Sequence, residues 1–186
     1  TGINYRKEDI IQMAGIPILN QKKEAMFSTF IKPPQKIPQF IQQLTGIKTK
    51  DVKSAPHIAQ VLPDLVEQYR DYIWVAQCGY EFDFPLLSRL YSQLTKKNWP
   101  IFCIDTKVLF AFLYPAEKKT LSTNFLINHY QIDVSKYKRH DARGDAHIIA
   151  DIFLKILQNY QERAVLEVNI DKLRVKKFVV PKKLAA

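Results

Sequence analysis

The sequence is poor in cysteine, in acidic residues and in long apolar runs. Its two cysteines, Cys78 and Cys103, are too few for a disulfide framework and are not spaced like zinc ligands. No apolar stretch approaches the roughly 20 residues that cross a bilayer, and the N-terminal residues lack the apolar core of a signal peptide. We therefore expect a cytoplasmic protein in a reducing compartment, with no membrane as its partner.

The shortage of acidic residues leaves a strongly basic chain. Lysine and arginine together number 28 against 18 aspartate and glutamate residues, which gives a formal net charge of +10. Such an excess favours a polyanionic partner, because cations that neutralise phosphates release condensed counterions. A basic surface that only keeps the protein in solution explains the charge equally well. The charge is therefore compatible with a nucleic-acid-binding function but does not assign one.

The sequence also lacks internal repeats and low-complexity linkers, and its pattern is that of one α/β domain. Segments 9–19 and 25–31 are apolar and β-rich on either side of a turn, so they predict an antiparallel hairpin. Helical and buried-strand patterns then alternate, which predicts a mixed β-sheet flanked by helices. Predicted helices begin at Pro38, after an N-cap at Ser54, at Phe84, at Leu109, at Leu121 and at Asp141, and predicted short strands span 72–76 and 101–104.

The chain changes character after residue 163. Its last 23 residues alternate apolar and polar side chains at first and then become rich in lysine and arginine. We expect residues 1–163 to form the domain and residues 164–186 to form a solvated basic tail. An added edge strand is the alternative for the start of this tail.

A histidine and an aspartate lie five positions apart where a loop leads into the last predicted helix. These residues are His140 and Asp145. An imidazole takes up a proton near neutral pH, and a carboxylate is a hard oxygen ligand for a divalent cation. The pair could therefore activate a water molecule beside a metal ion. The alternatives are a surface-loop histidine and an acid that the helix dipole favours in a first turn.

A second acidic residue, Asp83, follows the predicted strand 72–76. The carboxyl ends of strands form the usual ligand crevice of an α/β sheet, so Asp83 and Asp145 are candidates to converge there. Two such carboxylates suit Mg²⁺ or Mn²⁺, and paired ions stabilise the attacking and leaving oxygens of a phosphodiester. For Asp105 and Asp141 we expect structural roles, at a strand end and a helix start.

Five segments of the sequence occur in an order that resembles a known family. They are Phe27-Ser28-Thr29-Phe30-Ile31-Lys32-Pro33, Leu44-Thr45-Gly46-Ile47, Ala76-Gln77-Cys78-Gly79 followed by Asp83-Phe84-Pro85-Leu86-Leu87, Asp105-Thr106, and His140 to Asp145. Together they resemble the DEDDh group of 3′–5′ exonucleases, which comprises DnaQ-like proofreading and TREX-type nucleases of RNase H-like fold. The resemblance implies an α/β fold with an RNase H-like mixed sheet flanked by helices.

The resemblance also implies an activity and a set of residues. The activity is two-metal hydrolysis of phosphodiester bonds at the 3′ end of single-stranded DNA, with RNA as a further substrate. Asp83 and Asp145 match metal ligands for two Mg²⁺ or Mn²⁺ ions, and His140 matches the general base. A polymerase, a helicase or another replication or repair protein is the implied kind of partner.

The sequence departs from the family pattern in two places. The opening Asp-x-Glu motif of the family stands just ahead of a Thr-Gly pair, and the sequence begins at Thr1-Gly2. Because a sheet without its central strand would expose unpaired backbone, we expect about ten further residues upstream in the natural protein. The alternative is that Glu167 or Asp171 of the tail replaces the missing acids.

The second departure is Gln77-Cys78, which stands where relatives have His-Asn. Cysteine is a poor hydrogen-bonding residue, so activity or substrate choice could differ. This departure and the absent opening motif favour the alternative function, a catalytically degenerate module that binds nucleic acid or a protein partner.

Three further residues are candidates to bind nucleic acid. Tyr80 lies beside the predicted metal site and could stack on a terminal base, whereas Phe82 and Phe84 are predicted core residues. Lys138 and Arg139 directly precede His140 and could bind phosphates. A solvated basic loop is the alternative reading of these two cations.

Overall fold

The structure is a computed structural model that describes residues 4–163. In this range it has six short β-strands and six α-helices. The strands are β1 (Gln12–Gly15), β2 (Ile18–Leu19), β3 (Lys22–Lys23), β4 (Phe27–Phe30), β5 (Trp74–Ala76) and β6 (Cys103–Asp105). The helices are α1 (Gln39–Thr45), α2 (Ile58–Gln68), α3 (Asp83–Thr95), α4 (Thr106–Leu113), α5 (Thr123–Tyr130) and α6 (Ala142–Glu162). The predicted tail, including Glu167 and Asp171, lies outside the described residues.

The N-terminal strands form the predicted hairpin. Strand β1 pairs antiparallel with β4, with Gly15 opposite Phe27, and the short pair β2–β3 extends from it. Asn20 and Gln21 at the tip have φ values of 49° and 62°. Two consecutive positive φ values are typical of the turns that match the twist of paired strands.

Strands β5 and β6 form a separate parallel pair. Among residues 4–163 the six strands therefore make three two-stranded sheets, where the sequence predicted one mixed sheet. Parallel and antiparallel strand pairs are both present, but no backbone hydrogen-bond ladder joins β1 to β5 within this range. Met13 of β1 and Trp74 of β5 instead pack against the same apolar cluster, to which α2 and α3 contribute buried side chains.

Helix α6 is the central element of the largest apolar core. Ile148, Ile152 and Ile156 on its predicted apolar face are fully buried, and they pack against α4 and α5 in one cluster. The Tyr160 hydroxyl donates to the Leu109 carbonyl oxygen over 2.9 Å, which fixes the far end of α6 to α4. Burial of these side chains holds α6 in place, so the groups at its N-terminus have a rigid support.

Helix α2 begins later than predicted. Its N-cap is His57, so the predicted N-cap at Ser54 is wrong. The Lys32 N–H donates to the Pro56 carbonyl oxygen, and Lys32 forms a parallel bridge with His57. This pairing keeps the chain extended through His57. The Gln60 side chain then accepts from the His57 N–H over 2.9 Å and closes the first turn.

Within residues 4–163 no helix is both long and apolar enough to cross a membrane.

Candidate active site

The predicted histidine and aspartate lie on either side of the start of α6. We call residues 138–141 the His140 loop. Asp141 is the N-cap of α6 and accepts a hydrogen bond from the Arg143 N–H over 3.0 Å. The Arg143 guanidinium pairs with the same carboxylate over 2.6 Å. Arg143 therefore holds the pKa of the buried Asp141 carboxyl far below its ordinary value. This geometry confirms the structural role that the sequence predicted for Asp141, at the start of a helix.

A glutamine from the opposite end of the chain clamps this helix start. The Gln12 side chain on β1 donates from Nε2 to Asp141 Oδ1 over 3.1 Å. Its Oε1 atom accepts from the Ala142 N–H over 2.9 Å. The Ala142 N–H is one of the donors that a helix leaves without an internal partner at its first turn. Gln12 thus caps α6 from the sheet and fixes the direction in which the His140 loop enters it.

Gly144 lets the His140 loop pack against the first turn of α6. A Cβ atom at this position would lie 2.2 Å from the Lys138 carbonyl oxygen, which no side chain larger than hydrogen permits. The close approach brings the loop back over the helix start. His140 itself adopts a left-handed backbone conformation, with φ of 62°, and its side chain is exposed.

Both carboxylate oxygens of Asp145 already have partners within this loop. Arg139 Nη1 lies 2.6 Å from Oδ1, and the His140 backbone N–H donates to Oδ2 over 3.1 Å. Burial raises the pKa of the Asp145 carboxyl above its ordinary value, although the charges of Arg139 and His140 act in the opposite direction. The structure thus brings Arg139, His140 and Asp145 into one cluster.

The second predicted ligand follows a loop that one buried carboxylate organises. We call residues 77–83 the Asp83 loop. Asp105, at the end of β6, accepts from the backbone N–H groups of Cys78, Tyr80 and Lys107 over 3.0, 3.2 and 2.9 Å. Burial raises the pKa of Asp105 despite these three donors. Asp105 therefore ties the Asp83 loop to the start of α4, which is the strand-end role that the sequence predicted.

The unusual pair Gln77-Cys78 is part of this support. Gln77 is buried; its Nε2 donates to the Leu121 carbonyl oxygen over 2.8 Å, and its Oε1 accepts from the Thr106 hydroxyl. Cys78 has a φ of 57°, and burial raises the pKa of its thiol. Gln77 therefore points into the protein and acts as a structural residue of the Asp83 loop.

Asp83 is the first residue of α3 and is exposed to solvent. Many protein atoms nevertheless surround its carboxyl group, and this partial desolvation raises its pKa above the ordinary value, with the charge of Asp105 adding to the effect. Among residues 4–163 it has no ion-pair partner. An acid that is crowded by protein and lacks a nearby cation gains most from a bound metal ion.

Asp83 and Asp145 have different charged neighbours in the structure. Asp105 acts on Asp83, whereas Arg139, His140 and Asp141 act on Asp145. In the described part of the chain, no three His, Cys, Asp or Glu side chains lie close enough together to hold a metal ion. The donors themselves suit Mg²⁺, which protein sites often hold through one or two carboxylates together with water and phosphate oxygens. That Asp83 and Asp145 converge on such ions stays a prediction.

The predicted nucleic-acid-binding residues lie within the two loops. The half-buried Tyr80 donates its hydroxyl to the Cys103 carbonyl oxygen over 2.9 Å. Lys138 is exposed, and its Nζ donates to the Thr45 carbonyl oxygen over 3.1 Å. Phe84 is buried, and Phe82 packs against the apolar cluster of α2 and α3, so both are core residues as predicted. Glu81, the residue after Tyr80, forms an ion pair with Lys107.

Comparisons with known proteins find a matching family and several similar proteins. Residues 1–153 match the RNase_T family, described as Exonuclease. The chain is 31% identical over 173 residues to a PolC-type DNA polymerase III from Caldanaerobacter subterraneus, covering 91% of this chain and 12% of the relative. It is 25% identical over 162 residues to the 3′-5′ exonuclease DinG from Staphylococcus haemolyticus, covering 87% and 18%. The chain thus spans less than a fifth of the length of either relative.

Solved structures support the same fold. Exonuclease X in complex with 5′ overhanging duplex DNA superposes with a TM-score of 0.66 at 21% identity, covering 86% of this chain and 89% of that one. The nuclease domain of 3′hExo, a DEDDh family member bound to rAMP, gives 0.64 at 16% identity, covering 81% and 93%. These likenesses confirm the predicted RNase H-like α/β fold.

Proposed function

We propose, on the premise that this chain belongs to the RNase_T exonuclease family, that it hydrolyses nucleic acid from the 3′ end in a reaction that depends on divalent metal ions. The single observation that carries this proposal is the start of α6. There Gln12, Asp141 and Gly144 fix a loop that presents an exposed histidine five residues before a carboxylate. The whole arrangement falls inside the matched family segment.

Each residue of the site has a role in this proposal. His140 accepts the proton of the attacking water, because an exposed imidazole at the loop apex can exchange that proton with solvent. Asp83 and Asp145 supply oxygen ligands to Mg²⁺ or Mn²⁺, and Asp105 holds the loop that carries Asp83. The bound ions would polarise the scissile phosphate and stabilise the charge that develops during hydrolysis. In a natural chain with an Asp-x-Glu ahead of Thr1-Gly2, those two acids would complete the ligand set.

We propose single-stranded DNA as the substrate class, with RNA as a further substrate. The net charge of +10 supports a polyanionic ligand. DNA bound to Exonuclease X and rAMP bound to 3′hExo, both of similar fold, support nucleic acid of either kind. Tyr80, Lys138 and Arg139 are the proposed contacts to the substrate strand. Because several relatives are DNA polymerase III proteins, a replication or repair protein in the cytoplasm is the proposed kind of partner.

The test is a nuclease assay of the full-length protein with a 3′-labelled oligonucleotide in Mg²⁺ and in Mn²⁺. We expect His140→Ala and Asp145→Asn each to lower kcat by at least about 100-fold, as loss of a general base or a metal ligand does. Asp151→Asn is the matched control, since Asp151 lies on the same helix in an ion pair of 2.5 Å with Lys23 and is about as exposed as Asp145. The control variant should keep wild-type activity.

Unchanged metal-dependent cleavage by both site variants would refute the proposed roles of His140 and Asp145. Binding of single-stranded DNA without cleavage in either metal would instead support the degenerate module that Gln77-Cys78 suggested. The inward-facing Gln77 side chain weakens that alternative, because its hydrogen bonds support the Asp83 loop.

A further inference from the structure

Arg139 makes a close charged contact with the predicted metal ligand Asp145. Its Nη1 atom lies 2.6 Å from Asp145 Oδ1, and about a third of each side chain is exposed. The other carboxylate oxygen accepts from the His140 N–H. A divalent cation that coordinates Asp145 through Oδ1 therefore approaches an oxygen that a guanidinium already neutralises, and the two positive groups repel each other and compete for it. Arginine keeps its charge at every physiological pH, so a change in pH cannot weaken this competition.

The same helix start holds a second arginine in a comparable contact. Arg143 pairs with Asp141 over 2.6 Å, but this carboxylate is buried and also serves as the N-cap of α6. Asp141 has three kinds of donor: the Arg143 guanidinium, the Arg143 N–H and Gln12. Arg143 is therefore committed to the fold. Among residues 4–163 the Arg139 side chain forms a hydrogen bond or an ion pair only with Asp145, the residue proposed to bind metal. Because about a third of this side chain is exposed, it can turn outward while the loop backbone stays in place.

We infer that Arg139 is an internal counter-ion that competes with the divalent cation for Asp145 and, once displaced, binds a phosphate of the nucleic acid. The inference rests on the proposed function and names a regulation of the same site. A metal ion releases the guanidinium, and a phosphate that captures the guanidinium prevents its return to Asp145. By linkage, metal and nucleic acid then raise each other's affinity through this one residue.

The experiment measures Mn²⁺ binding directly, from the electron paramagnetic resonance signal of the free ion, with full-length protein in a His140→Ala background that prevents cleavage. We expect Arg139→Gln to bind Mn²⁺ about fivefold more tightly than the parent, because a partly exposed ion pair no longer opposes the metal. Arg143→Gln removes the same charge four positions along the chain and should change the affinity by less than about twofold. Asp145→Asn should weaken Mn²⁺ binding.

The titration is repeated with a saturating single-stranded oligonucleotide. The oligonucleotide should raise the Mn²⁺ affinity of the parent and of Arg143→Gln, and should raise that of Arg139→Gln by a smaller factor. Equal Mn²⁺ affinities of the parent and both arginine variants, with Asp145→Asn still weakened, would overturn the inference and leave the proposed metal site standing. Full Mn²⁺ binding by Asp145→Asn would overturn the proposed metal ligand and the inference together.

Discussion

Asp145 and Asp83 both lie in the first turn of a helix, but their electrostatic surroundings are opposite. Asp145 faces Arg139 and the His140 loop, which other groups of the protein hold in place. Asp83 lies beside the negative Asp105, which holds the Asp83 loop through backbone donors. The two predicted ligands therefore differ in the charge of their neighbours before any metal ion binds. Asp145 is already paired with a cation of the protein, and Asp83 has no such partner among the described residues.

The first prediction concerns the close packing of the His140 loop against the first turn of α6. Gly144→Ala places a Cβ atom against the Lys138 carbonyl oxygen, a backbone atom that cannot turn aside. We expect a loss of about 2–3 kcal/mol in the free energy of unfolding, measured in urea, and a large loss of nuclease activity. The matched control is Gly15→Ala, since nothing lies within 4 Å of a Cβ atom at that position. A Gly144→Ala variant as stable as this control would contradict the close approach.

The Asp83 loop depends on one buried carboxylate. Asp105→Ala leaves three backbone N–H groups without their acceptor, and we expect a loss of about 2 kcal/mol in the free energy of unfolding. Asp105→Asn keeps one acceptor oxygen and should fall between the alanine variant and the wild type. Asp133→Ala, at an exposed residue that accepts from the Ser135 N–H, should change stability by less than about 0.5 kcal/mol. Equal stabilities of all three variants would remove Asp105 as the organiser of the loop.

The clamp on α6 should affect catalysis more than stability. Gln12→Leu removes both hydrogen bonds to the helix start, and we expect a loss of about 1–2 kcal/mol in stability. We also expect a lower kcat with little change in KM, because the His140 loop loses its fixed direction. Gln158→Leu changes an exposed glutamine on α6 that bonds to Glu162 and should leave both quantities near wild type. An unchanged kcat in Gln12→Leu would show that the two Gln12 hydrogen bonds are not needed for catalysis.

The smallest effect concerns the charge of Asp83. Its folded-state pKa is raised from 3.8 to about 6, so between these pH values the folded state binds more protons than the unfolded state. The free energy of unfolding should therefore fall as the pH rises through this window. Asp83→Asn lacks this fall and should be more stable than the wild type at pH 7, by under about 1 kcal/mol because solvent screens an exposed group.

Urea midpoints of metal-free protein at pH 4 and pH 7 measure this difference. The advantage of Asp83→Asn should vanish at the lower pH, and Mg²⁺ should stabilise the wild type more than the variant. An advantage that is the same at both pH values would show that charge is not its cause.

Local sequence patterns were sufficient for most of the helices and for the position of the chemistry. Gly46 ends α1 with a φ of 78°, as a left-handed cap does, and the apolar stripe of α6 is buried as its spacing predicts. The start of α2 was mispredicted at Ser54 because its real cap depends on the pairing of His57 with Lys32, 25 positions away. Gln12 gave no signal in the sequence, since its partner lies 129 positions away.

The sequence by itself determined the order of the elements, the family resemblance and the candidates His140, Asp83 and Asp145, because each depends on residues that are close along the chain. Only the tertiary structure decided which groups surround them. Arg139 on Asp145, Asp105 under the Asp83 loop and Gln12 at the start of α6 are contacts between side chains and backbone groups that folding brings together. Hydrogen bonds and ion pairs act over a few ångströms in space, whatever the separation in sequence, so the electrostatic state of the site follows from the packed fold.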